Sequence, residues 1–259
     1  MRGVFLKEAD LKPHLFRYWL NAKYEAPETF NEQVTGVCET YAKAPTAHEE
    51  GGHVVSTDEM TGIQALERAA PTLPMEPGRP ERREFEYVRH GTQTLIASFD
   101  VTTGKVLTPT VGDTRTEEDF AEHISSIVET DPQGQWIFVM DQLNTHKSEA
   151  LVRLVAQQCD LPDDLGVKGK SGVLKTMETR AAFLQDQTHR IRFVYTPKHA
   201  SWLNQVEIWF SILVRKLLRR ASFSSKENLR QRILAFIDYF NATMAKPFKW
   251  TYAGRPLTC

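Results

Sequence analysis

The chain has 259 residues, 41% hydrophobic and 25% charged, with a formal net charge of −1. That is ordinary globular composition, with length for one large domain or two small ones, and it excludes a disordered chain. No apolar run approaches the roughly 20 residues of a membrane span, and the start, MRGVFLKEADLK, lacks the long apolar core of a signal peptide.

The first fifty residues give a weak pattern. Val4, Phe5, Leu6, Leu11, Leu15, Phe16 and Leu20 suggest a helical fragment broken at Pro13. Residues 21–50 are polar with scattered aromatics and read as a linker, with a second helix over Phe30 to Tyr41. At His53 the character changes. HVVSTDEM is a β-type run closing on two acids, and Thr61 to Ala70 reads as weakly helical. Four prolines within ten residues, Pro71, Pro74, Pro77 and Pro80, make the next stretch a surface loop. TLIASFD, a turn at Thr102-Thr103-Gly104 and a strand near Lys105 to Val111 form a hairpin.

Thr116 followed by Glu117, Glu118 and Asp119 marks a helix start, a capping hydroxyl with acids in the first turn. Phe120, Ile124, Ile127 and Val128 give that helix its inner face. QWIFVMD is a continuous apolar run stopping at Asp141, the pattern of a strand buried on both faces. A helix through Leu151, Leu154 and Val155 follows. Residues 159–189 look inserted, with a basic loop, DDLGVKGKSG, and a short helix over Val173 to Leu184. RIRFVY is another strand, stopped by Pro197. The last helix, with Leu229, Ile233, Phe236, Ile237 and Phe240 inward, starts at a capping box of Ser224 and Glu227. Strand–helix alternation after a hairpin predicts an α/β fold, a mixed sheet with helices on its faces.

Between those last two elements lies the amphipathic helix of VEIWFSILVRKLLRR. Val206, Trp209, Phe210, Leu213, Val214, Leu217 and Leu218 recur at helical spacing, and Glu207 falls on their face. Arg215, Lys216, Arg219 and Arg220 lie round the rest of the wheel. Ser211, at i+4, offers Glu207 no ion pair. An inward carboxylate is costly unless paired, protonated or metal-bound. Two further acids stand where such sheets place their sites: Asp141 closes the most apolar strand, and Asp58 closes VVSTD. Each could instead be a plain turn or helix cap. Asp100 competes with Asp58, with a hairpin-turn role favoured by its neighbours VTTGK. Glu59 is expected to point away, since successive strand residues face opposite sides. Three converging carboxylates repel one another and suit Mg²⁺ or Mn²⁺, and two such ions can drive phosphodiester chemistry without a nucleophilic side chain.

FVMDQLNTHKSEALV and FVYTPKHASWLNQVEIWFSIL resemble the DDE transposases of bacterial insertion sequences, in the mariner-like superfamily. The resemblance covers roughly Gly52 to Leu257. It implies a ribonuclease H-like catalytic domain over residues 52–259, with Asp58, Asp141 and Glu207 as the catalytic, metal-holding triad. It further implies metal-dependent DNA cleavage and strand transfer, and a homodimer acting at the bacterial nucleoid. Sixty-five residues separate Asp141 from Glu207, more than in many relatives, and the excess falls at 159–189. Where many relatives carry Asn after the second acid, Gln142 stands here. Residues 1–51 resemble only the tail of the helix-turn-helix region that usually precedes the catalytic domain, plus a linker. Two other readings stand beside this one: a nuclease of the same fold without strand transfer, and a truncated remnant that only binds DNA or a partner.

Several residues each admit a DNA role and a plainer one. Asn144 and His146 orient water or DNA backbone, or else Asn144 caps the next helix. Lys198 and His199 precede the Glu207 helix, where its N–H groups favour phosphate, or are solvated loop residues. Lys168 and Lys170 clamp DNA or simply solubilise their loop. Arg215 and Arg219 divide the same way. Trp202 and Trp209 stack on bases or belong to the core. From Lys198 onward eleven Lys/Arg stand against three Asp/Glu, a net of +8, which suits a polyanion. Cys38, Cys159 and Cys259 form no zinc or disulfide pattern, and the plain reading is a reducing, cytoplasmic compartment.

Overall fold

A computed structural model describes residues 27–252. The helical fragment expected around Pro13 lies outside the described residues, as does most of the expected helix-turn-helix tail. Five strands form one mixed sheet: β1 (Gly52–Arg68), β2 (Tyr87–Asp100), β3 (Val106–Gly112), β4 (Gln135–Met140) and β5 (Ile191–Tyr195), in the order β3-β2-β1-β4-β5. The first three pair antiparallel, and β4 and β5 add in parallel beside β1. Six α-helices complete the described chain: α1 (Pro27–Glu49), α2 (Glu117–Val128), α3 (Glu149–Gln158), α4 (Met177–Leu184), α5 (Val206–Leu213) and α6 (Lys226–Thr243).

The period-two alternation of strands divides the sheet's side chains between two cores. Val55, Ile96, Phe138 and Met140 pack with Phe120 and Ile124 of α2, Leu151 and Val155 of α3, and Leu184 of α4. On the opposite face Leu95, Ala97 and Phe99 meet Trp209, Phe210 and Leu213 of α5 and Ile233, Ile237 and Phe240 of α6. Val54 and Val139 also point that way, against Val34, Val37 and Tyr41 of α1 and Leu203. Helices thus cover both faces, which is why QWIFVM is apolar without alternation.

Local chemistry fixes several boundaries. Thr116 caps α2 in a full capping box with Asp119. Asp100 caps the β2–β3 turn, its Oδ1 accepting from the N–H groups of Thr102 at 2.8 Å and Thr103 at 3.0 Å. Four expectations are corrected. Residues 61–68 are strand, because β1 runs on against β2 with Ile63 opposite Gln93 and Leu66 opposite Arg89. A register shift between Met60 and Ile63, with Gly62 at φ 66°, lets the strand bend there. The helix expected over residues 30–41 is the longer α1, whose buried face makes it a layer of the fold. Ser225, not Ser224, caps α6, accepting from Asn228 N. Ser148 rather than Asn144 caps α3. No described helix is long and apolar enough to cross a membrane.

Candidate active site

Parallel register brings the first two acids together. Ser56 of β1 stands opposite Val139 of β4, the last pair of that ladder. Two residues further along each chain come Asp58 and Asp141. Asp58 is therefore not at a strand end, as the VVSTD run suggested. It sits where β1 parts from β4 while staying paired with β2 through Ala97. Asp141 directly follows β4 and turns the chain, its Oδ1 accepting from Leu143 N at 2.8 Å.

The third acid is held against β1 by a short polar strap. Val206 N, at the head of α5, donates to Ser56 Oγ at 2.8 Å. Ser56 donates to Asn204 Oδ1. Asn204 Nδ2 donates to Thr57 O at 3.0 Å and to Asp58 Oδ2 at 3.1 Å. Asp58 also accepts from Glu59 N at 2.8 Å. Glu207 lies one residue into α5, half-buried. Neither Asn204 nor Ser56 emerged from the sequence. Their only signal was position, Asn204 three residues before Glu207 and Ser56 two before Asp58.

The electrostatics tie the acids to one another. Burial, and then the Asp141 carboxylate, raise Asp58 to about 7, with Glu207 adding to the rise. Burial and then Asp141 also raise Glu207. Burial works upward on Asp141 as well, but His146 and the Leu143 N–H more than offset it, and its pKa is lowered. Among the described residues no three His, Cys, Asp or Glu side chains stand together as a ready metal-ligand cluster. The chemistry of the three acids nonetheless fits a hard divalent cation: oxygen donors, mutually repelling, with the most buried held back from ionising.

Cations border this end of the sheet. Lys147 lies 4.7 Å over the Tyr195 ring and donates to Gln142 Oε1 at 3.2 Å. Burial, and then the neighbouring Lys198, lower its pKa. Lys198 and His199 are exposed on the loop after β5. They do not adjoin a free helix N-terminus, because a turn over Ser201–Leu203 intervenes and the first N–H groups of α5 are used. Val206 N, Glu207 N and Ile208 N go to Ser56 Oγ, Asn204 O and Gln205 O.

Glu207 opens onto a groove of about 540 Å³ lined by Met60, Phe210, Ser211, Val214, Arg215 and Arg219. The two arginines thus share the Glu207 side, where an ideal α-helical wheel set them elsewhere. A π-turn over Val214–Leu218 follows α5 and takes more residues per revolution than an α-helix. Later side chains therefore lag back towards Glu207. A larger cavity of about 780 Å³, between α1 and residues 247–252, includes none of the three acids.

The remaining candidates divide. Asn144 is exposed on a 3₁₀ turn just after Asp141. His146, expected to face water or DNA, is fully buried with both ring nitrogens against carboxylates, so it has no free edge to offer. Lys168 and Lys170 are exposed, but Lys168 is held by Glu117 at 3.0 Å, and neither lines the Glu207 groove. Trp209 is core, while Trp202 is 52% exposed and packs edge-on to Tyr252. Glu59 does face the side opposite Asp58, yet it is buried there against His146.

A family model described as DDE superfamily endonuclease matches residues 53–230. No curated protein matches the chain in sequence. Among solved structures, the Mos1 mariner paired-end complex with Mn is 14% identical, with a TM-score of 0.52, covering 93% of this chain and 62% of that one. The Mos1 transposase paired-end complex with left transposon end has a TM-score of 0.53 at 14% identity and the same coverage. The Mos1 strand transfer complex has 0.52, again at 14% identity, 93% and 62%. This likeness concerns the fold, which is ribonuclease H-like, and the chain spans 62% of the length of those Mos1 chains.

Proposed function

The chain belongs to the DDE superfamily endonucleases, and from that membership we propose that it is a transposase that cuts DNA phosphodiesters and joins a 3′-hydroxyl end to a target. The observation that carries the reading is the parallel β1–β4 register, which sets Asp58 beside Asp141 with Glu207 in electrostatic reach. In this reading residues 52–259 form the catalytic region, with an insertion at 159–189, and two copies act together on DNA ends of an insertion sequence.

Asp58, Asp141 and Glu207 would hold one or two Mg²⁺ or Mn²⁺ ions. When bound, these supply activation of a water or 3′-hydroxyl and stabilisation of the leaving oxygen. The chain's own residues do the rest. The Asn204 strap fixes α5, and so Glu207, against the strand bearing Asp58. His146 takes up one oxygen of Asp141 and leaves the other for the site. Arg215 and Arg219 place cations in the groove beside Glu207, where a phosphate backbone can lie across the acids. Lys198 and Lys147 do the same on the Asp141 side, where exposed Asn144 adds a neutral amide donor. A site with no nucleophilic side chain suits in-line attack by an oxygen that comes with the water or the DNA.

The full chain incubated with supercoiled plasmid and Mn²⁺ or Mg²⁺ should nick it, and chelation should stop the reaction. Adding a labelled oligonucleotide with a free 3′-hydroxyl should give joined products. Nicking without joining would favour the nuclease reading. Metal-independent nicking, or DNA binding without any nicking, would reject the proposal.

A further inference from the structure

Glu59 follows Asp58 on β1 and points into the opposite core, where its side chain is 1% exposed. There Glu59 Oε2 lies 3.1 Å from His146 Nε2. On the other edge of the same ring, Nδ1 lies 2.7 Å from Asp141 Oδ1 and 3.2 Å from Asp141 O. The imidazole is itself clamped. Phe120 packs on it with ring centroids 4.3 Å apart, and Tyr195 donates its hydroxyl to His146 O at 2.8 Å. The second Glu59 oxygen, Oε1, is buried without a hydrogen-bond partner among the described residues.

As a stabilising device this is poor. Burying an acid and an imidazole costs desolvation that their attraction only partly returns, and an orphaned oxygen adds to the cost. Apolar side chains would fill the same space between Phe120 and β1 without it. What the arrangement does supply is geometry. One rigid ring spans from the strand that carries Asp58 to the loop that carries Asp141, and it takes hold of the Asp141 carboxylate by a single oxygen.

We infer that Glu59 and His146 are positioning residues, which fix the rotation of the Asp141 carboxylate relative to Asp58 so that the two acids meet a divalent cation already oriented. This rests on reading Asp58, Asp141 and Glu207 as cation-holding acids. Neither residue touches reacting atoms. Glu59 acts through His146, and His146 through Asp141. Partners of this kind set ligand orientation, and their loss weakens metal affinity by about 10- to 100-fold.

The test uses the full chain and variants Glu59→Leu and Glu59→Gln. Circular dichroism and thermal unfolding report the fold, calorimetric titration gives the Mn²⁺ dissociation constant, and nicking is followed over a range of Mn²⁺ concentrations. Glu59→Leu should weaken Mn²⁺ binding about 10-fold or more. Glu59→Gln, which keeps an acceptor towards His146, should fall between it and the parent chain. Excess Mn²⁺ should restore most of the lost nicking rate. A packing role alone would lower the melting temperature and leave the Mn²⁺ constant within twofold, which overturns the inference. If Glu59→Leu does not fold, the isosteric Glu59→Gln decides by the same constant. A parent chain that binds no Mn²⁺ removes the acid-triad reading, and this inference with it. A parent chain that binds while both variants match it removes only the inference.

Discussion

Asn204 donates one amide hydrogen to Asp58 Oδ2 at 3.1 Å and the other to Thr57 O at 3.0 Å, so a single side chain binds the turn before α5 to two consecutive residues of β1. Its oxygen accepts from Ser56, which in turn accepts from Val206 N. Asn204→Ala would strand buried donors and acceptors, at about 1–3 kcal/mol for such a group. Urea unfolding should show a loss of that size, and nicking should fall with it. Asn204→Asp should nick still less, because it sets another carboxylate against an Asp58 already raised to about 7.

Asp58→Asn, Asp141→Asn and Glu207→Gln should each abolish metal-dependent nicking, by more than the roughly 100-fold upper cost of an outer partner. Their stabilities should differ. Asp58 is buried, close to Asp141 and Glu207, and its neutralisation relieves repulsion. The melting temperature of Asp58→Asn should match or exceed that of the parent. Asp141→Asn should lower it, because Asp141 is a counter-charge of buried His146. Wild-type cleavage in any of the three would reject that residue as a ligand.

Arg215→Ala and Arg219→Ala together should weaken DNA binding at low salt and reduce the slope of log K against log salt by about 2, one for each phosphate no longer neutralised. Lys168→Ala should change the slope less, since Glu117 already engages that ammonium. Fluorescence anisotropy with a labelled duplex over 50–200 mM salt, roughly the range in which such slopes are read, measures both.

His123 offers a pH dependence apart from the acids. It is buried between Ser98 Oγ and Thr110 Oγ1, each at 2.9 Å, and burial lowers it to about 3. The unfolded chain takes up a proton here below about 6.5, and the folded chain does not until about 3. The stability it contributes is therefore full above about 6.5 and lost as pH falls towards 3. The unfolding free energy from urea titration should drop between pH 6.5 and 4.5, by about 1 kcal/mol per pH unit from this group. Replacing His123 with Asn should flatten that part of the profile.

Elements announced by local chemistry could be read from the sequence. Thr116 with Asp119 marked α2, the apolar runs ending at Asp141 and Tyr195 marked β4 and β5, and the solitary Glu207 on an apolar face pointed to the candidate site. Elements decided by distant partners could not. Residues 61–68 are strand only because β2 lies alongside them. Glu59 was rightly set on the face opposite Asp58. In a sheet covered on both faces, however, that direction leads into a second core rather than to water. His146 sits in a run, NTHK, that carries no sign of burial, and only the Phe120 and Tyr195 packing turns it inward. The strap through Ser56 and Asn204 joins residues 148 apart in sequence, beyond the reach of any periodicity.

The π-turn after α5 works as a phase adjuster. Winding this stretch as ordinary α-helix, with no residue removed, would carry Arg219 about 100° round the axis and away from Glu207. Glu207 lies upstream and would stay in place. The winding of this one turn, rather than the length of the helix, therefore decides whether the Arg219 cation shares the groove with Glu207.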